Sequence, residues 1–311
     1  MKEVKDKKFE LNTDIIFLFS AITVPLIALS YGNILSRDFI STAVCLFFIL
    51  TIGTSHGALD NIKGYKVLKI FKIENKIIFY FTYLLIASFV IMIWSIFPTL
   101  ALTFFLIIAA YHFGKEDCWG IPVKKDIFLP FKFVFKGSLI IWAPLYLSFD
   151  ETIMIFNTLG VKNEIFYSFL FFFNDNLILE ILIILSILSN ILINMHPKYL
   201  AQYTWEIICI LALYDSFNPL IAFTLYFCFL HSTRHSISLT QEFKISIKEF
   251  IKKALPLTFL TACFFLISLY ILTGFQKIDI DSSIVSIIFI GLASLTFPHI
   301  LLEYLIEKNE K

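Results

Sequence analysis

The sequence predicts an all-α, polytopic transmembrane helix bundle. Of its 311 residues, 59% are hydrophobic, and the mean hydropathy is +0.84. A soluble domain is typically about 45–50% apolar. The excess lies in long blocks nearly free of charge, as in membrane-spanning helices. The net charge of +1 does not indicate nucleic-acid binding. We therefore expect one integral membrane domain over residues 1–311, with a short cytoplasmic tail at 1–14.

The apolar blocks predict about ten spans, within a range of eight to ten. Each span approaches the roughly 20 residues that a crossing helix needs. The first run follows a charged start without a cleavage site, so we expect it to be retained. Segment 150–175 contains an apolar run too short to cross, and it is predicted to be interfacial or re-entrant. The spans are predicted at 15–31, 39–58, 77–97, 98–114, 128–148, 176–195, 199–214, 217–234, 254–274 and 284–306.

Lysine-rich loops alternate with loops that are poor in basic residues. The N-terminal tail and the loops after the second, fourth and eighth spans are rich in lysine, and the remaining loops carry one basic residue or none. Cytoplasmic loops of membrane proteins carry the excess of lysine and arginine. Both termini and every lysine-rich loop are therefore predicted to be cytoplasmic.

Histidines are concentrated near the predicted cytoplasmic leaflet. His231 and His235 are four residues apart, which places them on one helix face. Imidazole is costly in a membrane helix, and neutral imidazoles suit Zn, Cu, Fe or Ni. A lone histidine at a helix end is usually explained by the helix dipole, but a convergent set favours a metal site. His196, in a short loop, is predicted to be a surface residue. The convergent set is His56, His112, His231, His235 and His299.

Acidic and other polar residues accompany this set. Asp60 and Asp117 follow the first two of the five histidines by four and five residues, and Glu303 follows the last by one turn. They are predicted to be further metal ligands, hydrogen-bond partners of the histidines or solvated helix ends. Arg234 is predicted to mark the headgroup interface. Glu206, within the seventh span, is predicted to need a partner.

Short motifs link the chain to a known family. The sequences H-G-A-L-D at 56–60, H-F-G-K-E-D at 112–117, H-S-T-R-H at 231–235 and F-P-H-I-L-L-E at 297–303 resemble those of the Brp/Blh family. These are prokaryotic membrane proteins assigned as β-carotene 15,15'-dioxygenases. The chain differs at Ser55, where the family often has proline, and its first span is additional to the shortest members.

The resemblance implies an Fe(II) enzyme of the prokaryotic cytoplasmic membrane that uses O2 to split β-carotene into two retinals. It implies iron binding by His56, His112, His231 and His235, with His299 in a less certain role. β-Carotene dissolves in the lipid bilayer, and the retinal implies a functional link to a microbial rhodopsin.

Two alternatives remain open from the sequence. One is a non-enzymatic transporter or an assembly partner of a retinal protein, in which Glu206 and the histidines would line a path. The other is a histidine-box lipid oxidase with two metals, although the chain lacks an H-x-x-H-H cluster. The absence of H-E-x-x-H, G-x-S-x-G and P-loop motifs argues against zincin proteases, serine hydrolases and P-loop enzymes.

Overall fold

A computed structural model describes residues 2–123, 126–193 and 195–309, apart from the side chains of residues 2–5 and His56. All regular elements in these ranges are helical, which confirms the all-α class. The α-helices are α1 Lys2–Tyr31, α2 Thr42–Phe48, α3 Asp60–Ile70, α4 Ile77–Ile96, α5 Pro98–Glu116, α6 Leu129–Gly137, α7 Leu139–Leu147, α8 Phe149–Thr158, α9 Glu164–Asp175, α10 Ile178–Ile193, α11 Pro197–Ser216, α12 Pro219–Tyr226, α13 Thr233–Phe243, α14 Ile247–Tyr270 and α15 Ile280–Asn309. Wider π-helical turns lie at Ile49–Gly53, Phe227–Ser232 and Ile271–Phe275, and a tighter 3-10 turn lies at Thr54–Leu59.

Several helices are able to cross a membrane. In the described ranges, five are long and apolar enough, and the number rises to eight if each of three bent pairs counts as one span. Eight is the lower limit of the predicted range, and the expected ten are not confirmed. The sidedness of the termini stays a prediction. Because α1 begins at Lys2, most of the predicted tail is helical and continuous with the first span.

The second predicted span is not a continuous α-helix. α2 ends after seven residues and is followed by the π turn and the 3-10 turn. The hydroxyls of Thr54 and Ser55 donate to the carbonyls of Leu50 and Ile52, at 3.0 and 2.7 Å. Such bonds compete with the regular helical ladder. A Cβ at Gly53 would lie 2.7 Å from the Phe227 ring, so glycine allows the two π turns to touch.

Short helices replace the single fifth span and the segment predicted to be re-entrant. α6 and α7 are separated at Ser138, and Leu129–Leu147 then bends by 110° into α8. α9 likewise meets α10 at 77°. These bends agree with the expectation that residues 150–175 do not form a straight crossing helix.

The eighth predicted span extends beyond its predicted end. α12 is completely buried, and the chain continues through the π turn into α13 as far as Phe243. Single π-helical turns often occur at functional sites. His231 and His235 therefore lie inside a helical segment at the centre of the bundle, and not at its end.

α5 and α6 pack with their backbones in contact. A Cβ at Gly114 would lie 1.8 Å from the Phe133 carbonyl oxygen, and one at Gly137 would lie 2.0 Å from that of Ala110. Only residues without a side chain permit this approach. Gly114, in the second histidine motif, is therefore explained by close helix packing.

Candidate metal centre

Four histidines from three separate parts of the chain meet in the bundle interior. The ring centroids of His112 lie 5.3 Å from those of His231 and His299, and His235 lies 5.4 Å from His299. Each of the four is at most 5% exposed. The structure thus brings together three of the four histidines predicted as primary ligands, together with His299. Their binding of a metal stays a prediction.

The fourth predicted ligand is His56, whose side chain lies outside the described part of the structure. Its backbone belongs to the 3-10 turn Thr54–Leu59. The hydroxyl of Ser232, next to His231, donates to the carbonyl of Gly53 at 3.2 Å. This contact joins the segment that precedes His56 to the π turn that carries His231.

Three of the clustered imidazoles are anchored by carboxylates. Nδ1 of His231 lies 3.1 Å from Asp117 Oδ1, Nδ1 of His235 lies 2.9 Å from Glu116 Oε2, and Nδ1 of His299 lies 2.9 Å from both Asp60 oxygens. An ionised carboxylate only accepts hydrogen bonds, so each Nδ1 donates. This arrangement fixes the ring and leaves Nε2 as the nitrogen that can bind a metal.

The carboxylates serve different histidines from those that the sequence spacing suggested. Asp117 was expected beside His112 but bonds to His231, and Asp60 was expected beside His56 but bonds to His299. Sequence analysis assigned no role to Glu116. Neighbouring residues at a helix end point about 100° apart, given 3.6 residues per turn, so Glu116 and Asp117 reach different histidines.

A tyrosine hydroxyl also bonds to each of the two aspartates. The hydroxyl of Tyr226 donates to Asp117 Oδ2 at 2.6 Å. The hydroxyl of Tyr83 lies 3.0 Å from Asp60 Oδ2 and 3.2 Å from the carbonyl of Leu295. Each aspartate therefore accepts from one imidazole and one phenol, which fixes its orientation.

Arg234 is part of the interior, which contradicts its predicted place at the headgroup interface. It is 1% exposed, and its guanidinium lies 2.9 Å from Asp117 Oδ1 and 2.7 Å from Glu206 Oε2. Two buried carboxylates supply the compensation that a buried cation requires. Glu206 thus has the charged partner that a buried carboxylate needs. The Lys136 ammonium also lies 3.8 Å from Glu206 Oε1.

The electrostatic effect of these neighbours on Asp117 is strong. Burial raises the pKa of its carboxyl, but the Arg234 guanidinium and His231 outweigh burial and hold that pKa well below its usual range. Asp117 is therefore an anion over the physiological pH range. An anion behind His231 accepts from Nδ1 and fixes the orientation of that imidazole.

A polar cavity adjoins one side of the centre. It has a volume of about 280 Å³, and its lining includes His235, Glu116 and Glu303. Ligand-capable atoms of His235, His299 and Glu303 lie within 4.8 Å of one another. The ammonium of Lys63 pairs with Glu303 and lies 3.8 Å from Glu242. Glu303, predicted as a ligand or a supporting carboxylate, therefore stands at the boundary between the histidines and this cavity.

The surroundings of His231 are aromatic. The ring of Phe113 lies 4.7 Å from that of His231, and the ring of Phe227 stacks on His231 at 5.7 Å. Phe223 stacks in turn on Phe227 at 5.3 Å. These rings exclude water from the His231 side of the site and offer an apolar surface.

The donor set fits a first-row transition metal. Buried imidazoles with anchored Nδ1 atoms are ligands for Fe, Zn, Cu or Ni. They carry no charge themselves, so the compensating anions lie one layer further out, on Asp60, Glu116 and Asp117. His196 has no part in this arrangement, because it is exposed and caps the N-terminus of α11.

Comparison with known proteins gave one family. A family model described as beta-carotene 15,15'-dioxygenase matches residues 47–307. A protein of that name from an uncultured marine bacterium, 66A03, is 27% identical over 264 residues, which cover 83% of this chain and 90% of the relative. No solved structure matches the chain.

Proposed function

The chain belongs to the β-carotene 15,15'-dioxygenase family, and on that premise we propose that it binds one Fe(II) ion among its clustered histidines and cleaves the central 15,15' double bond of β-carotene with O2. Family membership makes it an enzyme, which sets aside a transporter or an assembly partner. The products would be two molecules of retinal, for use by a retinal protein such as a microbial rhodopsin. One C=C and one O–O bond break and two C=O bonds form, so the reaction needs no further reductant.

The observation that supports iron binding is the set of buried, anchored imidazoles. His112, His231, His235 and His299 are the ligand candidates of the described chain, and His56 remains a candidate from the sequence alone. Bound Fe(II) would supply the one-electron chemistry that O2 needs to react with a closed-shell alkene. A shell of neutral ligands leaves much of its 2+ charge uncompensated, and a ligand position left open admits a substrate.

The protein's own residues would divide the remaining work. Asp117, Glu116 and Asp60 would hold three imidazoles through Nδ1, so that little reorganisation accompanies the reaction. Phe113 and Phe227 would exclude water and contact the polyene, because a hydrocarbon substrate is recognised by apolar and aromatic surface. We place the site near the cytoplasmic leaflet of the cell membrane on the basis of the loop charges.

A bleaching experiment tests the activity. Cells that accumulate β-carotene and express the chain should lose their orange colour while retinal appears. The His231→Ala variant should remain orange, and His196→Ala, which removes an exposed histidine, should bleach like the wild type. Persistent colour in cells with verified membrane expression and ample iron would refute the proposed activity. Full bleaching by His231→Ala would remove His231 from the mechanism.

A further inference from the structure

The N-terminal helix lies outside the family match but contacts the support of the metal centre. The match begins at residue 47, whereas α1 ends at Tyr31. α1 packs against α11, and Asn12 on α1 is 0% exposed. A buried amide within a transmembrane bundle is costly unless it is hydrogen-bonded. The partners of Asn12 therefore indicate why it is there.

An unbroken chain of polar contacts leads from Asn12 to the centre. Nε of Arg234 donates to Asn12 Oδ1 at 2.9 Å. Another nitrogen of the same guanidinium, Nη1, lies 2.9 Å from Asp117 Oδ1, and that oxygen lies 3.1 Å from Nδ1 of His231. All four residues are at most 4% exposed. Because water has little access to these residues, it cannot readily replace any of these contacts.

The orientation of the Asn12 amide is itself fixed. Its Nδ2 donates to Gln202 Oε1 on α11 at 3.3 Å, and Gln202 Nε2 donates to Thr13 Oγ1 at 2.5 Å. These bonds direct the Asn12 oxygen toward Arg234. The amide oxygen therefore accepts from Nε of the guanidinium, whereas Nη1 faces Asp117 and Nη2 faces Glu206.

A second contact brings the loop after Asp117 against α1. Gly120 has φ +83°, and a Cβ there would lie 2.8 Å from the Lys8 carbonyl oxygen and 3.0 Å from Asn12 Cβ. Glycine is thus required both by the backbone conformation and by the close approach. α1 meets the support of the centre at two places, through a side chain and through its backbone.

We propose that α1 is a positioning element of the metal centre and that Asn12 is the residue through which it acts. By accepting from Nε of Arg234, Asn12 fixes the plane of the guanidinium and thereby the ion pair between Nη1 and Asp117. Asp117 in turn fixes the imidazole of His231. The inference rests on the proposed function only in taking His231 as a metal ligand. It adds a requirement for a helix that the family match does not include.

Variants of α1 separate positioning from packing. Asn12→Leu removes the acceptor at similar volume, whereas Asn12→Asp keeps an oxygen that can accept from Nε. The matched control is Ser20→Ala, because Ser20 accepts from Trp205 Nε1 at 2.7 Å and thus joins the same two helices without reaching Arg234. If the leucine variant does not accumulate, Asn12→Ser takes its place, since its shorter side chain is polar but cannot reach the guanidinium.

Purified proteins would be titrated with Co(II), a spectroscopic substitute for Fe(II), and thermal unfolding would be recorded beside the ligand-field spectrum. We expect Asn12→Leu to bind Co(II) more weakly with a shifted spectrum, by less than the roughly 10–100-fold expected for a direct partner of a ligand, Asn12→Asp to recover most of the affinity, and Ser20→Ala to match the wild type. Wild-type affinity and spectrum in Asn12→Leu would overturn this inference alone. Failure of the wild type to bind Co(II) would overturn the proposed function and this inference with it.

Discussion

Two aspartates support the centre in the same way but in different surroundings. Asp117 and Asp60 each accept from one histidine and one tyrosine. Asp117 also forms an ion pair with a fully buried arginine, whose charge is balanced by a second buried carboxylate. Lys63, three residues after Asp60 on α3, pairs instead with Glu303 at the edge of a polar cavity.

This difference indicates two tasks within one site. The Asp117 side is closed, aromatic and charge-balanced, which suits a rigid anchor beside an apolar substrate. On the other side Asp60 is itself buried, but the neighbouring Lys63–Glu303 pair lines a cavity where these charged groups can be hydrated, so this side is open to ions and water through that pair. Removing equivalent groups on the two sides should therefore have unequal effects.

The largest effect is expected for Arg234→Met. This variant leaves Glu206 and Asp117 with less compensation in the interior, and breaking a buried ion pair costs about 3–5 kcal/mol. Thermal unfolding of the detergent-purified protein, followed by tryptophan fluorescence, measures the loss. Lys63→Met is the matched variant on the other side and should lose clearly less stability, because water in the cavity can solvate Glu303. Equal losses would contradict the distinction between a closed side and an open side.

Neutralising the aspartates should change metal affinity next most strongly. Asp117→Asn and Asp60→Asn keep an oxygen that can accept from the imidazole, but they remove the anion. We expect Co(II) affinity to fall about 10–100-fold in each, with the larger loss for Asp117→Asn because Arg234 also loses its charged partner. Isothermal titration compares the two. A larger loss in Asp60→Asn would reverse the assignment of the rigid anchor.

The tyrosines sharpen the comparison through stability and not through metal affinity. Hydrogen bonds to charged groups contribute about 1.5–3 kcal/mol, so Tyr226→Phe should lower stability by about that amount. Tyr83→Phe should cost less, since one hydroxyl proton there is shared between Asp60 and the Leu295 carbonyl at longer distances. Chemical denaturation of both variants tests the order. Indistinguishable midpoints would show that the shorter bond is not the stronger one.

The smallest effect is expected for Glu242→Gln at the cavity rim. Its carboxylate lies 3.8 Å from Lys63 and 3.7 Å from Lys66, and its side chain is 42% exposed. Exposed ion pairs contribute about 0–1 kcal/mol. We expect an almost unchanged melting temperature and unchanged equilibrium affinity for Co(II). A loss comparable to that of Asp60→Asn would mean that the rim supports the centre directly.

Much of this site could be predicted from the sequence, because its histidines stand in short motifs at helix positions of similar depth. The grouping of His112 with His231, His235 and His299 followed from loop charges and span counting. The pairing of carboxylates did not, since hydrogen bonds between helices depend on their rotation and crossing. Arg234 was misplaced because charge alone suggests a surface, and the two carboxylates that compensate its burial, Asp117 and Glu206, come from distant parts of the chain.

The fold was predictable in class and less so in detail. Apolar length identifies helices, but local breaks arise where hydroxyls bond back to the helix or glycine admits a neighbouring ring, as at Thr54 and Gly53. Such breaks turned the second, fifth and eighth expected spans into chains of shorter segments. The π turn that carries His231 is one of these breaks, and no periodicity in the sequence predicts it.

The most direct test of the account is the metal content of the purified protein. Elemental analysis of the wild type, His231→Ala, His299→Ala and the exposed control His196→Ala gives metal atoms per chain. We predict one iron per chain in the wild type and in His196→Ala, and a marked loss in the other two. Two metals per chain would favour a histidine-box oxidase, and undiminished iron in both His231→Ala and His299→Ala would contradict a metal centre at this cluster.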